Sequence, residues 1–270
     1  MIFLSDIITA DYAEMTSLGT SNAKTLLNSG NDLISPAWAK SIVAVIPIAM
    51  VDTPTAAKPV IPQLILESED FNIAPFEVLG SPVTGPVASF PNQCGYSQRY
   101  NINCPINGGD RLKVYGKNMQ ADGTAAPYMG CAVVFSNRVL GKQKHAKMGT
   151  LTATGAAATD VVGTVYQFSG GSCIKELFGT LVFNAQAVDE GYLGYIRYES
   201  TGFRHAAPMK LPLEPINGAD TATAGAMCPG VSRINQSMDL KPVPTSIYDY
   251  NRIILAAAAT GLWVSGVVYE

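Results

Sequence analysis

Three acids stand close together at Glu67, Glu69 and Asp70, and a cluster of carboxylates supplies the hard oxygen ligands that calcium takes. A second copy of the surrounding segment keeps only Glu199, with Thr201 and Gly202 in the other two places. The repeated Glu therefore reads as part of a hydrogen-bond network at a strand end, and calcium is the lesser reading. Histidine chemistry is limited to His145 and His205. Neither lies near a Gly-x-Ser-x-Gly turn, so a Ser-His-Asp site has no support. Two histidines are also too few for the ligand sets of duplicated metal-dependent β-barrels. The cysteines at 94, 104, 131, 173 and 228 are odd in number and show no Cys-x-x-Cys spacing. They read as small buried apolar residues, not as a zinc site or a disulfide framework. The glycine-rich Asn107-Gly-Gly-Asp110 and Ser169-Gly-Gly-Ser172 lack the Lys-Ser/Thr of a phosphate loop and read as turns. Arg99 with Asn101, and Arg233 with Asn235, read as side chains that tie a loop to backbone carbonyls. No spacing of acids argues for glycoside hydrolysis. No catalytic, cofactor-binding or metal residue is assigned, no cofactor is implied, and the chain is expected not to be an enzyme.

The elements that hold these residues occur twice. Glu67-Ser, Phe71, Ala74-Pro75 and Pro82-Val83 are answered by Glu199-Ser, Phe203, Ala207-Pro208 and Pro215-Ile216. Cys94, Arg99 and Asn101 return as Cys228, Arg233 and Asn235, and Val133-Val134-Phe135 returns as Val267-Val268-Tyr269. The offset between copies is 132 at the Glu and Phe, 133 at the prolines and 134 at the Cys and final valines. A repeat this long is a whole domain, not a solenoid unit of 20–50 residues.

Each copy reads as short strands between Gly, Pro and Asn loops, the pattern of an all-β sandwich. The strand pairs are Ser41–Met50 with Leu177–Gln186, aligned through Lys40 and Lys175; 63–68 with 193–200; and Leu112–Tyr115 with 253–255. A long excursion from Gly116 to Pro127 is matched in the second copy only by a tight turn at Thr260-Gly261. Ahead of the repeat, Leu4, Ile7, Ile8, Tyr12, Met15 and Leu18 fall at helical spacing before Gly19. A second short helix through Leu26 and Leu27 is expected to end at Gly30. The expected organisation is a helical N-terminal arm over 1–40, a first sandwich over 41–140, an interdomain segment over 141–173 and a second sandwich over 174–270.

Only 14% of the 270 residues are charged, against a usual ~25%, while 47% are hydrophobic. So few charges imply either neutral surfaces buried against other copies or an unusually Ser/Thr/Ala-rich surface. The net charge is −3 and the 18 Lys and Arg residues are scattered, so direct nucleic-acid wrapping is not expected. The one basic run, Lys142, Lys144, His145 and Lys147, reads as a solvated linker. The start of the chain has no basic region and reads as no secretory signal. Its arm has acids at Asp6, Asp11 and Glu14 and no cation before Lys24, which favours packing on protein over anionic lipid. The apolar run Ile253–Val268 reads as two strands, not a membrane span.

On the Glu-Ser…Phe…Pro, Cys…Arg…Asn and Val-Val-aromatic repeats, residues 40–270 resemble the double jelly-roll major capsid proteins of tailless icosahedral viruses. That resemblance implies two upright jelly rolls, homotrimers that form pseudo-hexagonal capsomers, and a place in the virion. It also implies minor capsid proteins, and in some cases an internal membrane, as partners. The N-terminal arm would then reach a neighbouring capsomer or the membrane-facing side, and 116–127 would face outward or join subunits. The alternatives are a carbohydrate-binding or carbohydrate-active two-sandwich protein, or a filament or surface-lattice subunit. On the arm reading, deletion of residues 1–30 leaves trimers intact and impairs shell assembly; trimer mass by light scattering checks this.

Overall fold

The computed structural model describes residues 7–19, 22–51, 61–69, 75–80, 98–119, 127–153, 159–168, 172–183, 191–199, 209–212, 216–217, 231–240, 246–255 and 261–270. In the first half the strands are β1 (Ile8–Ser17), β2 (Thr25–Leu26), β3 (Leu33–Ile34), β4 (Ser41–Val51), β5 (Pro62–Glu67), β6 (Phe76–Leu79), β7 (Tyr100–Pro105), β8 (Arg111–Asn118) and β9 (Pro127–Ser136). The second half has β10 (His145–Met148), β11 (Thr152–Ala153), β12 (Asp160–Gln167), β13 (Ile174–Phe183), β14 (Gly191–Glu199), β15 (Met209–Pro212), β16 (Ile216–Asn217), β17 (Val231–Leu240), β18 (Ser246–Leu255) and β19 (Gly261–Tyr269).

Strand order is the same in both halves. One sheet runs β1-β9-β4-β7 and its partner β2-β8-β5-β6, with β3 also on β8. The second half runs β10-β19-β13-β17 and β12-β18-β14-β15, with β11 on β19 and β16 on β14. Counting β2 and β3 as one position, as well as β10 with β11 and β15 with β16, each half reads 1-8-3-6 over 2-7-4-5. That is the strand order of an eight-stranded jelly roll.

Alternation builds each sandwich. In β8, Leu112, Val114, Gly116 and Asn118 are buried while the residues between them are not. Cys131, Val133 and Phe135 of β9 point into the same core as Leu64 and Leu66 of β5. Gly116 leaves the room that Leu18, Leu27 and Met129 fill, since a Cβ there would lie 2.6 Å from Leu18. In the second half Trp263, Leu177, Leu181, Ile196 and Tyr198 are buried, and the Tyr166 hydroxyl meets Ser265 Oγ at 2.6 Å.

A bulge marks equivalent points in the two copies. The ladders of β4 shift between Ile42 and Ala44, and those of β13 between Ile174 and Glu176. Val43 is thus the counterpart of Lys175, and the expected match of Lys40 with Lys175 is corrected by three positions, the interval from Lys40 to Val43. On this alignment Val134 and Phe135 fall on Val268 and Tyr269, as the sequence comparison had them. The Glu-Ser…Ala-Pro repeat frames one connection in each copy. Leu66 pairs with Phe76 across it in the first half, and Tyr198 with Met209 in the second.

The expected helical arm is not found. Ile8–Ser17 is an edge strand, paired antiparallel with β9 from Ile8↔Ser136 to Ser17↔Tyr128. Two of the residues that suggested a helix, Ile8 and Tyr12, also fall with Ala10 on a period of two, and pairing with β9 settles the choice. The second expected helix is a single turn, Leu27–Gly30, in which Asn28 and Ser29 take left-handed φ of 58° and 55°. Residues 1–6 lie outside the described residues. Of 141–173, β10 and β11 pair with β19, and β12 pairs with β18. The run 253–268 divides between β18 and β19.

An aromatic contact lies between the halves. Phe178, on the outward face of β13, meets Tyr100 of β7 edge-on with ring centroids 5.2 Å apart. Phe178 is 0% exposed and joins the first half's core, together with Ala146, Val264 and Val268. Gly266, opposite Phe178 on β19, makes space for the ring, because a Cβ there would lie 2.1 Å from it. Gln98 Nε2 donates to Glu176 Oε1 at 2.9 Å, and the Lys144 amide donates to Ile102 O at 2.7 Å.

Removing a buried Phe costs ~3–5 kcal/mol. Phe178→Ala is expected to lower stability by about that amount, and Gly266→Val by a similar amount through displacing the ring; urea unfolding checks both. Deletion of residues 1–30 removes β1 and β2, and is now expected to prevent folding altogether, read by circular dichroism.

Candidate assembly surface

The duplicated polar residues turn out to tie the sandwich together. Glu67 pairs with Lys24 at 2.5 Å, and the Lys24 ammonium sits 3.8 Å above the Tyr115 ring. Glu69 pairs with Lys113 at 2.5 Å, which raises the Lys113 pKa chiefly through that hydrogen bond. The next residue to Glu67, Ser68, donates through Oγ to Arg111 O at 2.5 Å. Glu199 meets Arg197 Nε at 3.1 Å, and Arg197 also reaches Asp160 at 3.1 Å. The repeated Glu is therefore a strand-end ion pair in both halves. Asp70 lies outside the described residues. Among the described residues no three His, Cys, Asp or Glu side chains converge to hold a metal.

Arg99 Nε donates to Asn101 Oδ1 at 3.3 Å on the exposed side of β7. Arg233 and Asn235 stand opposite Thr180 and Phe178 in the β13–β17 ladder. The bulge alignment puts Ser237, not Asn235, at the place of Asn101, since these two face Glu176 and Ala44. His145 lies 5.4 Å from the Tyr269 ring, and burial, then Lys147, lowers its pKa. His205, Phe71, Phe203, Cys94 and Cys228 lie outside the described residues, as do 120–126 of the long excursion. Asn107–Asp110 is a turn, closed by the Asn107 amide on Asp110 Oδ2 at 2.7 Å. Gly108 there is pressed to 2.1 Å from Ala37 O for any added Cβ.

The larger feature is a face of the β1-β9-β4 sheet. Residues directly opposite in an antiparallel ladder share one side of the sheet. On β1-β9-β4 the core side carries Ala13, Cys131, Val133 and Val45. The outer side carries Ile8, Ala10 and Tyr12, then Val134 and Ala132, then Ala44, Ile46, Ile48 and Met50. Met15 belongs to it as well, with its sulfur over Gly130. Ile8 and Tyr12 are 56% and 59% exposed, and Met15 and Met50 are exposed too. Val43, Ala44, Val134 and Ile46 make a small apolar cluster of their own, apart from the sandwich core. Apolar side chains gathered on one open face mark an interaction site more than scattered ones do.

The bulge alignment gives this face a counterpart. Ile46 corresponds to Phe178, Ala44 to Glu176, Ala132 to Gly266 and Val134 to Val268. In the second half that outer face is covered by the first half. In the first half its rim at Ile8, Tyr12, Met15 and Met50 is exposed, while Ala44, Ala132 and Val134 between them are buried. Hydropathy counts could not separate these cases, because both faces are apolar and only the packing tells them apart.

Neither a protein-family model nor a curated relative matches the chain. Among solved structures, the STIV MCP crystal structure is similar over 97% of this chain and 96% of its own, at 9% identity and a TM-score of 0.43. The structure of infectious bursal disease virus Gx strain matches over 98% of this chain and 71% of its own, at 11% identity and a TM-score of 0.28. The tandem CBM22-1-CBM22-2 domain of Paenibacillus barcinonensis Xyn10C covers 95% of this chain and 93% of its own, at 9% identity and a TM-score of 0.25. At these identities and TM-scores none of them assigns a role to this chain.

Burial, foremost, pushes the Cys104 and Cys131 thiols up to about 12, and Cys173 is also buried. A Cys94→Ser/Cys228→Ser variant is expected to stay unlabelled by a thiol reagent at pH 8 until it unfolds. Rapid labelling of the native variant would show that these three sites open.

Proposed function

We propose that the chain is a structural subunit of a viral capsid, located in the virion, and that three copies close into a pseudo-hexagonal capsomer. The observation that carries the reading is the pair of equivalent faces, one covered within the chain and the other edged by the exposed Ile8, Tyr12, Met15 and Met50. The first half offers its β6 and β7 edge strands to the outer face of the second half. The second half has edge strands at the same topological positions, β15 and β17. Setting these against the first-half face of the next copy repeats the internal contact between chains. Such a head-to-tail contact closes into a ring when its rotation divides a full turn. Two jelly rolls per chain and three chains then give six similar places around one axis.

On this reading the first jelly roll runs from β1 to β9, residues 137–144 join the halves, and the second runs from β10 to β19. The low charge of 14% fits a molecule whose large flanks are covered by copies of itself. Minor capsid proteins and an internal membrane are further partners of such a shell. A glycan-binding sandwich would expose aromatic platforms, but Trp263 is buried and Trp38 packs on the first core.

The purified 28.5 kDa chain is expected to sediment and scatter as a trimer with a hexagonal outline by electron microscopy. Tyr12→Asp/Ile46→Asp places carboxylates on that face and is expected to weaken association by at least ~3 kcal/mol, leaving a folded monomer. Val165→Asp, on the exposed side of edge strand β12, should leave the trimer intact. A wild-type monomer at all concentrations, or a trimer indifferent to the double substitution, would refute the ring.

A further inference from the structure

We propose that β10 is an acid-sensitive latch between the two halves, released when His145 takes up a proton. The strand has a different partner on each side. Ala146 and Met148 pack on the first half's core, and the Lys144 amide just ahead of them donates to Ile102 O at 2.7 Å. His145 and Lys147 alternate with those residues and turn to the other side, onto aromatic rings of the second half. The His145 ring lies 5.4 Å from that of Tyr269, its partner in the β10–β19 ladder. The Lys147 ammonium lies 5.2 Å from the Tyr269 ring and 5.5 Å from that of Phe168. Phe168 meets Tyr269 edge-on at 5.0 Å, and Lys147 Nζ donates to Gln167 O at 2.8 Å. The basic run that reads as a solvated linker thus ends in a strand held from two sides.

This cluster already holds one cation and has no acid for a second. Among the described residues no carboxylate pairs with His145 or Lys147. On the elements packed around β10, Glu270 at the end of β19 lies 3.4 Å from Lys175 of β13. Glu77 of β6, the strand against which β10 rests, accepts from Gln63 Nε2 at 3.3 Å. Lys142 and Lys144 add only positive charge. Burial raises the pKa of Tyr269, so its ring stays neutral at mildly acidic pH. A protonated imidazole would have to share that ring with the Lys147 ammonium in a half-buried place. Burial, then Lys147, accordingly lowers the His145 pKa.

Opening β10 returns His145 to its ordinary pKa of about 6.5, so the opened strand binds the proton more tightly than the closed one. The latch is therefore fully stable above pH ~6.5 and loses stability as pH falls below that value toward the lowered one. Histidine is the side chain whose charge changes in this range. The inference goes beyond the capsid reading, and only its consequence for a shell, a junction that loosens in mild acid, rests on it.

The test is hydrogen exchange of the full chain over 144–149, read by mass spectrometry between pH 7.5 and 5.5 and corrected for intrinsic exchange, with oligomer mass measured on the same sample. Opening is expected to rise below pH ~6.5, by no more than about tenfold at pH ~5.5, because one proton is taken up. His145→Gln should abolish the rise. His205→Gln should keep it, and leaves His145 the sole histidine, so that its ring protons report its titration by NMR. In that background the midpoint should fall below 6.5, and Lys147→Gln should move it upward. A rise that survives His145→Gln, a rise lost in His205→Gln, or a midpoint at or above 6.5 would each overturn the latch. If His145→Gln does not fold, the two NMR midpoints decide. A monomer with the full response would sustain the latch while refuting the ring.

Discussion

An antiparallel sheet has two faces, and a sandwich covers only one of them. In this chain the consequence is visible at Phe178, whose ring leaves its own sheet on the outer side and packs edge-on against Tyr100 of the other half. Tyr100 in turn hydrogen-bonds Leu79 O at 2.9 Å, bridging the two edge strands β7 and β6 at the open side of the first sandwich. One aromatic pair thereby closes a sandwich edge and joins the halves. An edge left open would offer unpaired backbone groups to other chains.

Because the two halves share a strand order, every outer surface exists in two versions. The versions have diverged chemically. Phe178 lies across Gly266, whereas its counterpart Ile46 lies across Ala132, a flatter pair. Tyr100 has Gln236 at the equivalent ladder position, since these face Val45 and Leu177. The internal contact is accordingly the greasier one, and a contact between chains would be more polar. That ordering agrees with the general difference between a permanent core and an interface formed after folding.

The polar repeats have a plainer role than their chemistry suggested. Glu67 and Ser68 bond to neighbouring segments at Lys24 and Arg111, Glu199 pairs with Arg197 on its own strand, and Asp110 closes its own turn. Chains with few charges place those they have where a strand ends and backbone carbonyls or lysines await them. In the segment that joins the halves, Val139 and Leu140 face water.

Much of the fold was legible from residues alone. The duplication, the all-β class, the Glu-Ser…Ala-Pro connection and the Val-Val-aromatic final strand all follow from spacing, because strand alternation and turn residues are local properties. The start of the chain was not legible. Ile8 and Tyr12 satisfy helical spacing and strand alternation equally, and only β9, more than a hundred residues away, decides between them. The candidate assembly face was out of reach for the same reason. Composition determines that a sheet has two apolar sides; which side meets a partner depends on where the other half of the chain comes to rest.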